Sequence, residues 1–120
     1  MNSVIKFFKG FYFAAIGIIT GFKERNMRFH GIATILVLFA SFYYKLSVSE
    51  FTIILVLIAL VLSAELFNSS IEELADLLRD SNKLNYRATR AARDMAAGAV
   101  LVIAIVAAII GGIIFIPKIW

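Results

Sequence analysis

The chain has no cysteine, which removes disulfides and thiolate metal sites from consideration. It has one histidine, His30, and with no second histidine or cysteine a zinc site has nothing to build on. At the start of an apolar stretch His30 reads as an interfacial or hydrogen-bonded side chain. Glycine-rich nucleotide fingerprints are missing as well. Neither GxGxxG nor GxxxxGK followed by Ser or Thr occurs, so a bound nucleotide would be held by neither a Rossmann turn nor a P-loop. There are no internal repeats, low-complexity tracts or heptads. Within the first 30 residues no uninterrupted apolar block leads into the small residues of a cleavage site, so a cleavable signal peptide is not expected. Acids are scarce, eight Asp and Glu against twelve Lys and Arg, for a formal net charge of +4.

What the chain does have is apolar surface. Of its 120 residues 62% are hydrophobic, and the mean hydropathy of +0.92 is that of a membrane protein. Three uncharged runs stand out: Phe29 to Tyr44, Phe51 to Ala64 and Met95 to Pro117. The first two fall short of the roughly 20 residues a spanning helix needs, so their flanks must snorkel or lie buried in protein. The expected fold is all-α, one domain over 1–120, with three transmembrane helices at about 28–46, 50–66 and 94–117. The second continues as a cytoplasmic helix to about residue 80. Residues of about 3–23 are apolar but broken by Lys6, Lys9 and three glycines, which suits an amphipathic surface helix in the headgroup region. The alternative, a fourth span from Phe11 to Phe22, has only 12 residues. The short connection Lys45 to Glu50 makes the first two spans antiparallel, with Ser49 as the N-cap of the second. Ser81, Asn82 and Asn85 mark a turn before the third, in which Ala97, Gly98, Ala104, Ala107 and Ala108 allow close helix approach.

Charge orients these helices. Lys6, Lys9, Lys23, Arg25 and Arg28 precede the first span, and Arg79, Lys83, Arg87, Arg90 and Arg93 lie between the second and third. Lys45 and Lys118 alone fall on the other side. The positive-inside rule then puts the N-terminus and the second loop in the cytoplasm, giving a multi-pass protein of the cell inner (cytoplasmic) membrane.

The chemistry concentrates between Ala64 and Asp80, AELFNSSIEELADLLRD. At about 100° per residue, Glu65, Asn68, Ser69, Glu72 and Asp76 share an arc of roughly 100° on one helix face. Glu65 follows an uncharged run, and an ionisable group at the edge of a span is a candidate for function. A row of hard oxygen ligands suits Mg²⁺, which takes carboxylates together with substrate phosphates. The other reading of Glu72, Glu73, Asp76 and Asp80 is the solvated face of an amphipathic helix end. Glu24, in KERNMRFH, either pairs with Arg28 at i+4 or supplies a second metal carboxylate opposite Glu72. Asn26 and Arg28 are candidate phosphate contacts or anchors. Arg87, Arg90 and Arg93 are either topological charges or the cationic side of an ATP-phosphate site, and Asp94, an acid at a span boundary, needs a partner.

ELFNSSIEELAD, with ARDMAAGAVL at the start of the last span and ERNMRFH before the first, resembles the prokaryotic diacylglycerol kinase family of small membrane lipid kinases, which includes the undecaprenol kinases. The resemblance runs over nearly the whole chain. It implies a homotrimer with active sites between subunits at the cytoplasmic interface, and transfer of the γ-phosphoryl of ATP, with Mg²⁺, to a membrane lipid alcohol, undecaprenol or diacylglycerol. It implies that Glu65 is the general base, with Asn68 beside the phosphates, and that Glu72 and Glu24 hold metal. Asp76, Arg93 and Asp94 join Glu24 and Glu72 around the nucleotide. Ser69 and Tyr12 then belong with Glu65 on the lipid-substrate side, although Phe13 fits the spacing of the surface-helix tyrosine as well as Tyr12 does. Position 93 carries Arg where the family pattern has Lys, a planar fork for a point charge, and Ser70 replaces an Ala. The ERNxRxH form resembles the undecaprenol branch. No nucleic-acid partner is expected. Two other classes compete: a small proton-coupled oligomeric transporter using Glu65, and a structural membrane subunit without chemistry.

Overall fold

The computed structural model describes residues 2–82 and 85–120, so Lys83, counted above among the cytoplasmic cations, lies outside the described residues. The fold is all-α. Helices α1 (Ser3–Gly21), α2 (Arg25–Tyr43), α3 (Val48–Asn82) and α4 (Arg90–Ile119) follow one another, with a 3₁₀ turn at Tyr86–Thr89 leading into α4. By length and composition α1, α3 and α4 can each cross a membrane. Helix α2 opens with Arg25, Asn26, Arg28 and His30, which lower its apolarity over the same length. Packing separates the helices further. The most extensive contact is between α3 and α4, α2 lies against α3, and α1 meets the rest chiefly through α3.

Local chemistry sets each junction. Asn2 caps α1, its side chain accepting from the Val4 N–H at 3.0 Å. At the other end Gly21 lies against Leu66 of α3, leaving no room for a Cβ, and a Cβ on Gly31 would come within 2.8 Å of the Phe22 ring. These two close approaches fold the chain sharply, so that Glu24 is the residue immediately before α2. Helix α2 ends in a Schellman motif: the Leu46 N–H donates to the Ser41 carbonyl at 3.1 Å and that of Lys45 to Phe42 at 3.2 Å. Lys45 takes the left-handed conformation this requires, with φ 52°.

The start of α3 corrects the expected cap. Ser47, not Ser49, is the capping residue. The Ser47 N–H donates to Glu50 Oε1 at 2.9 Å and the Glu50 N–H to Ser47 Oγ at 3.2 Å. That reciprocal pair is a capping box, which needs Ser and Glu three residues apart, and Ser49 next to Glu50 cannot form one. Glu50 also meets Lys118 Nζ at 3.2 Å, tying the start of α3 to the end of α4. Ser81 and Asn82, read from sequence as turn residues, belong to the last turn of α3, whereas Asn85 does cap the 3₁₀ turn by accepting from the Arg87 N–H at 3.0 Å.

Very little is buried. Met27, Ile54, Ala75 and Ile114 are the buried apolar side chains among the described residues. The radius of gyration is 17.9 Å, where a compact soluble domain of this length has about 13–14 Å. Phe7, Phe11, Phe39, Phe42, Phe67 and Ile113 are all exposed. Such a surface requires lipid or other protein around it. Three polar side chains are nonetheless buried: Ser41, Glu65 and Asn68. Ser41 is accounted for, because its hydroxyl donates to the Val37 carbonyl at 2.7 Å. The other two mark the site.

Candidate functional site

Glu65, Ser69 and Glu72 occur at i, i+4 and i+7 on α3, and they line one polar cavity of about 220 Å³. The fold at Gly21 and Phe22 brings Glu24, Arg25 and Asn26 to its opposite wall. Glu24 and Glu72, far apart in sequence, therefore share one space. No side-chain pair between Glu24 and Arg28 forms among the described residues; what links them is the Arg28 N–H donating to the Glu24 carbonyl at 3.1 Å, the first turn of α2.

Burial is graded across the cavity: Glu65 is 2% exposed, Glu72 half-buried and Glu24 exposed. Asn68, 4% exposed, does not line it and faces α4 in a separate, apolar pocket with Phe67 and Ala99. Taking an ionised carboxylate out of water costs several kcal/mol unless it is paired. The partner within reach of Glu65 is His30, whose Nε2 stands 3.6 Å from Glu65 Oε2. Asn68 donates its amide Nδ2–H to Glu72 Oε1 at 3.4 Å, and its Oδ1 is buried without a partner among the described residues. An acceptor left so costs about 1–3 kcal/mol.

On the hydrocarbon side lies a larger, apolar groove of about 570 Å³ between α2, α3 and α4. Val37, Leu57, Val61 and Phe115 line it, with the small residues Ala104 and Ala107 of α4 on one wall. The small-residue face of α4 thus borders open space in the single chain instead of a close-packed neighbour. His30 lines this groove, while Glu65 lines the polar cavity.

The remaining candidates lie elsewhere. Asp76 faces Arg79 at 3.7 Å, and Arg79 also donates to Asp80 at 2.9 Å. Arg93 stacks 3.5 Å from the centroid of the Tyr86 ring and donates to the Tyr86 carbonyl at 2.8 Å. Asp94 has the partner it needs in Arg90, at 3.7 Å, both of them well exposed. Tyr12 is exposed, its ring edge-on to Phe13. None of Asp76, Arg93, Asp94 and Tyr12 lines the cavity, nor does Arg28. Arg25, given no role from sequence, does line it, and the available signal was its place beside Glu24 at a helix start.

Magnesium is the cation this donor set suits. Among the described residues no three of His, Asp and Glu converge into a complete cage. Glu24 and Glu72 on one cavity, with the more deeply buried Glu65 beside them, form a partial oxygen set. Mg²⁺ characteristically completes such a set with phosphate and water.

Comparison with known proteins identifies the family. Residues 12–115 match the family model described as prokaryotic diacylglycerol kinase. The chain is 43% identical over 118 residues to the undecaprenol kinase of Bacillus subtilis, covering 98% of this chain and 94% of that one. It is 32% identical over 108 residues to a diacylglycerol kinase of Synechocystis sp., covering 89% of this chain and 61% of that longer protein. No solved structure matches significantly. The chain therefore belongs to the prokaryotic diacylglycerol kinase family and is an integral membrane lipid kinase.

Proposed function

We propose that this chain transfers the γ-phosphoryl group of MgATP to the hydroxyl of a membrane lipid alcohol, and that the acceptor is undecaprenol. The observation that carries the reading is the meeting of Glu24, Glu65 and Glu72 on one polar cavity beside an apolar groove. Undecaprenol is favoured over diacylglycerol because the relative named for it is 43% identical over nearly both whole chains, against 32% for the other.

In this reaction Glu65 takes the proton of the lipid hydroxyl. The alcohol oxygen bonds to the γ-phosphorus, and the bond from that phosphorus to the β–γ bridging oxygen breaks, giving lipid phosphate and ADP. Glu24 and Glu72 are the residues that would hold Mg²⁺, which would supply charge neutralisation for the nucleotide phosphates. Asn68, hydrogen-bonded to Glu72, steadies that carboxylate beside the phosphates. Ser69 lies with Glu65 toward the acceptor, and Tyr12, which is exposed on α1 and does not line the cavity of its own chain, is assigned to the lipid acceptor. Most of the work is positioning and charge neutralisation, which a small protein can supply.

The nucleotide side needs more than one chain. Asp76, Arg93 and Asp94 are engaged with local partners instead of the cavity. The buried core is thin, and the small residues Ala104 and Ala107 of α4 border an open groove. We therefore assign the chain to a homotrimer in which these groups complete the nucleotide site of a neighbouring subunit. Helix α1 then lies on the membrane surface, with the N-terminus on the cytoplasmic side of the inner membrane in accord with the basic residues. A proton-coupled transporter built on Glu65 would leave Glu24 and Glu72 without a task.

The test supplies the purified chain with labelled MgATP and either undecaprenol or diacylglycerol. Undecaprenol should show the higher kcat/KM, and Glu65→Gln should abolish labelling while leaving the oligomer intact. Absence of labelled lipid with both acceptors would end the reading.

A further inference from the structure

His30 stands where the two spaces of the molecule meet. Its ring lines the apolar groove, Glu65 lines the polar cavity, and Nε2 lies 3.6 Å from Glu65 Oε2 across the partition. Both side chains are withdrawn from solvent, at 16% and 3% exposure. Among the described residues no other basic side chain comes within ion-pair distance of Glu65. The imidazole is in edge contact with the Phe29 ring at 5.5 Å between centroids, and the His30 backbone carbonyl accepts from Thr34 Oγ1 at 2.8 Å in the same helix.

A buried carboxylate acting as a base has two oxygens, and only one is needed for the proton. An N–H donor on the second fixes the rotation of the group and leaves the first free for the substrate. At 3.6 Å the contact is longer than a hydrogen bond, as catalytic contacts commonly are before substrate arrives. An alcohol approaching from the hydrocarbon side meets His30 before it meets Glu65.

We infer that His30 is a positioning residue for the lipid-acceptor step: its Nε2–H holds Glu65 Oε2, so that the other carboxylate oxygen faces the incoming hydroxyl. This rests on the lipid-kinase reading above. It gives the lone histidine a task on the acceptor side of the reaction, separate from the nucleotide and the metal.

The facing atom is Nε2, and this makes the inference testable by side-chain reach. A glutamine amide nitrogen reaches the place of Nε2, whereas an asparagine nitrogen reaches only that of Nδ1. His30→Gln, His30→Asn and His30→Leu are compared with the wild type and Glu65→Gln in the undecaprenol assay, with Tm measured in the same detergent. His30→Asn and His30→Leu should lower kcat by about tenfold to a hundredfold, the range for losing a group that orients a reactive side chain. His30→Gln should return to within about threefold of wild type, and KM for MgATP should stay within about twofold throughout. If the Leu variant loses its fold, the Gln and Asn variants decide alone, since both are polar and differ by one methylene.

Wild-type kcat in the Asn variant, equal loss in Gln and Asn, or a rise in KM for MgATP matching the fall in kcat would each overturn the inference. An active wild type with a dead Glu65→Gln and an indifferent His30 overturns it alone. A wild type inert toward both lipids overturns the lipid-kinase reading together with it.

Discussion

Asn68 donates to Glu72 one helical turn further along α3, at 3.4 Å, while its own side-chain oxygen Oδ1 is buried with no partner among the described residues. A side chain so placed stabilises little by itself and is explained better by what it positions. Replacing it with Leu, close to it in volume, removes the unsatisfied oxygen. Asn68→Leu is expected to keep or raise the melting temperature while lowering lipid phosphorylation at least about tenfold, the usual direction of a stability–activity exchange. Thermal unfolding in detergent and the labelled-ATP assay check both halves. A melting temperature lowered by several degrees would mean that the oxygen has a partner in the assembled protein.

Glu24 and Glu72 reach the same cavity from different helices. With either changed to Gln, the Mg²⁺ concentration for half-maximal rate at fixed ATP should rise about tenfold or more, and the double change should do no better than the worse single one. Chelation should abolish turnover in the wild type, and excess Mg²⁺ should restore it. A titration curve unmoved by Glu72→Gln would remove that residue from the metal's surroundings.

Arg93 is occupied by Tyr86 and does not line the cavity that holds Glu65. If neighbouring subunits share each active site, inactive Glu65→Gln and Arg93→Gln chains should rescue one another when unfolded together and reassembled. Random mixing in a closed ring makes roughly a quarter of the sites intact. Sites contained within single subunits would show no recovery, because every chain then carries one lesion.

The turn between α2 and α3 holds two features of opposite sign. Lys45 sits at φ 52°, a conformation that costs a side-chain-bearing residue about 1 kcal/mol, and Ser47 caps α3. Lys45→Gly should stabilise by about 0.5–1 kcal/mol and Ser47→Ala destabilise by about 1 kcal/mol. Neither should alter kcat. Unfolding in mixed micelles measures both.

Helical period puts Glu65, Asn68, Ser69, Glu72 and Asp76 on one face, and the structure keeps Glu65, Ser69 and Glu72 on one cavity while Asn68 and Asp76 fall outside it. How Glu24 arrives opposite them was not legible in the sequence. That depends on Gly21 against Leu66 and Gly31 against Phe22, contacts between helices that leave no periodic trace. The pairing of His30 with Glu65 was hidden for the same reason, since it joins residues on different helices. The basic residues carried two readings in the sequence, and the single chain shows their local partners. Arg90 finds Asp94 one turn away and Arg93 finds Tyr86, short-range partners that spacing offered as readily as a phosphate. The capping box at Ser47 and Glu50 is fully present in the sequence, in the three-residue spacing that Ser49 lacks.

Helix α3 runs from Val48 to Asn82 with neither glycine nor proline, so it has no joint. Glu50, tied to Lys118 at one end, stands about 22 Å from Glu65 and about 33 Å from Glu72 at a rise of 1.5 Å per residue. A hydrocarbon layer of about 30 Å falls between those two depths. The rod therefore acts as a ruler across the bilayer: thick leaflets draw the acids below the waterline, thin ones lift them clear of the lipid tails, and turnover should peak at one acyl-chain length.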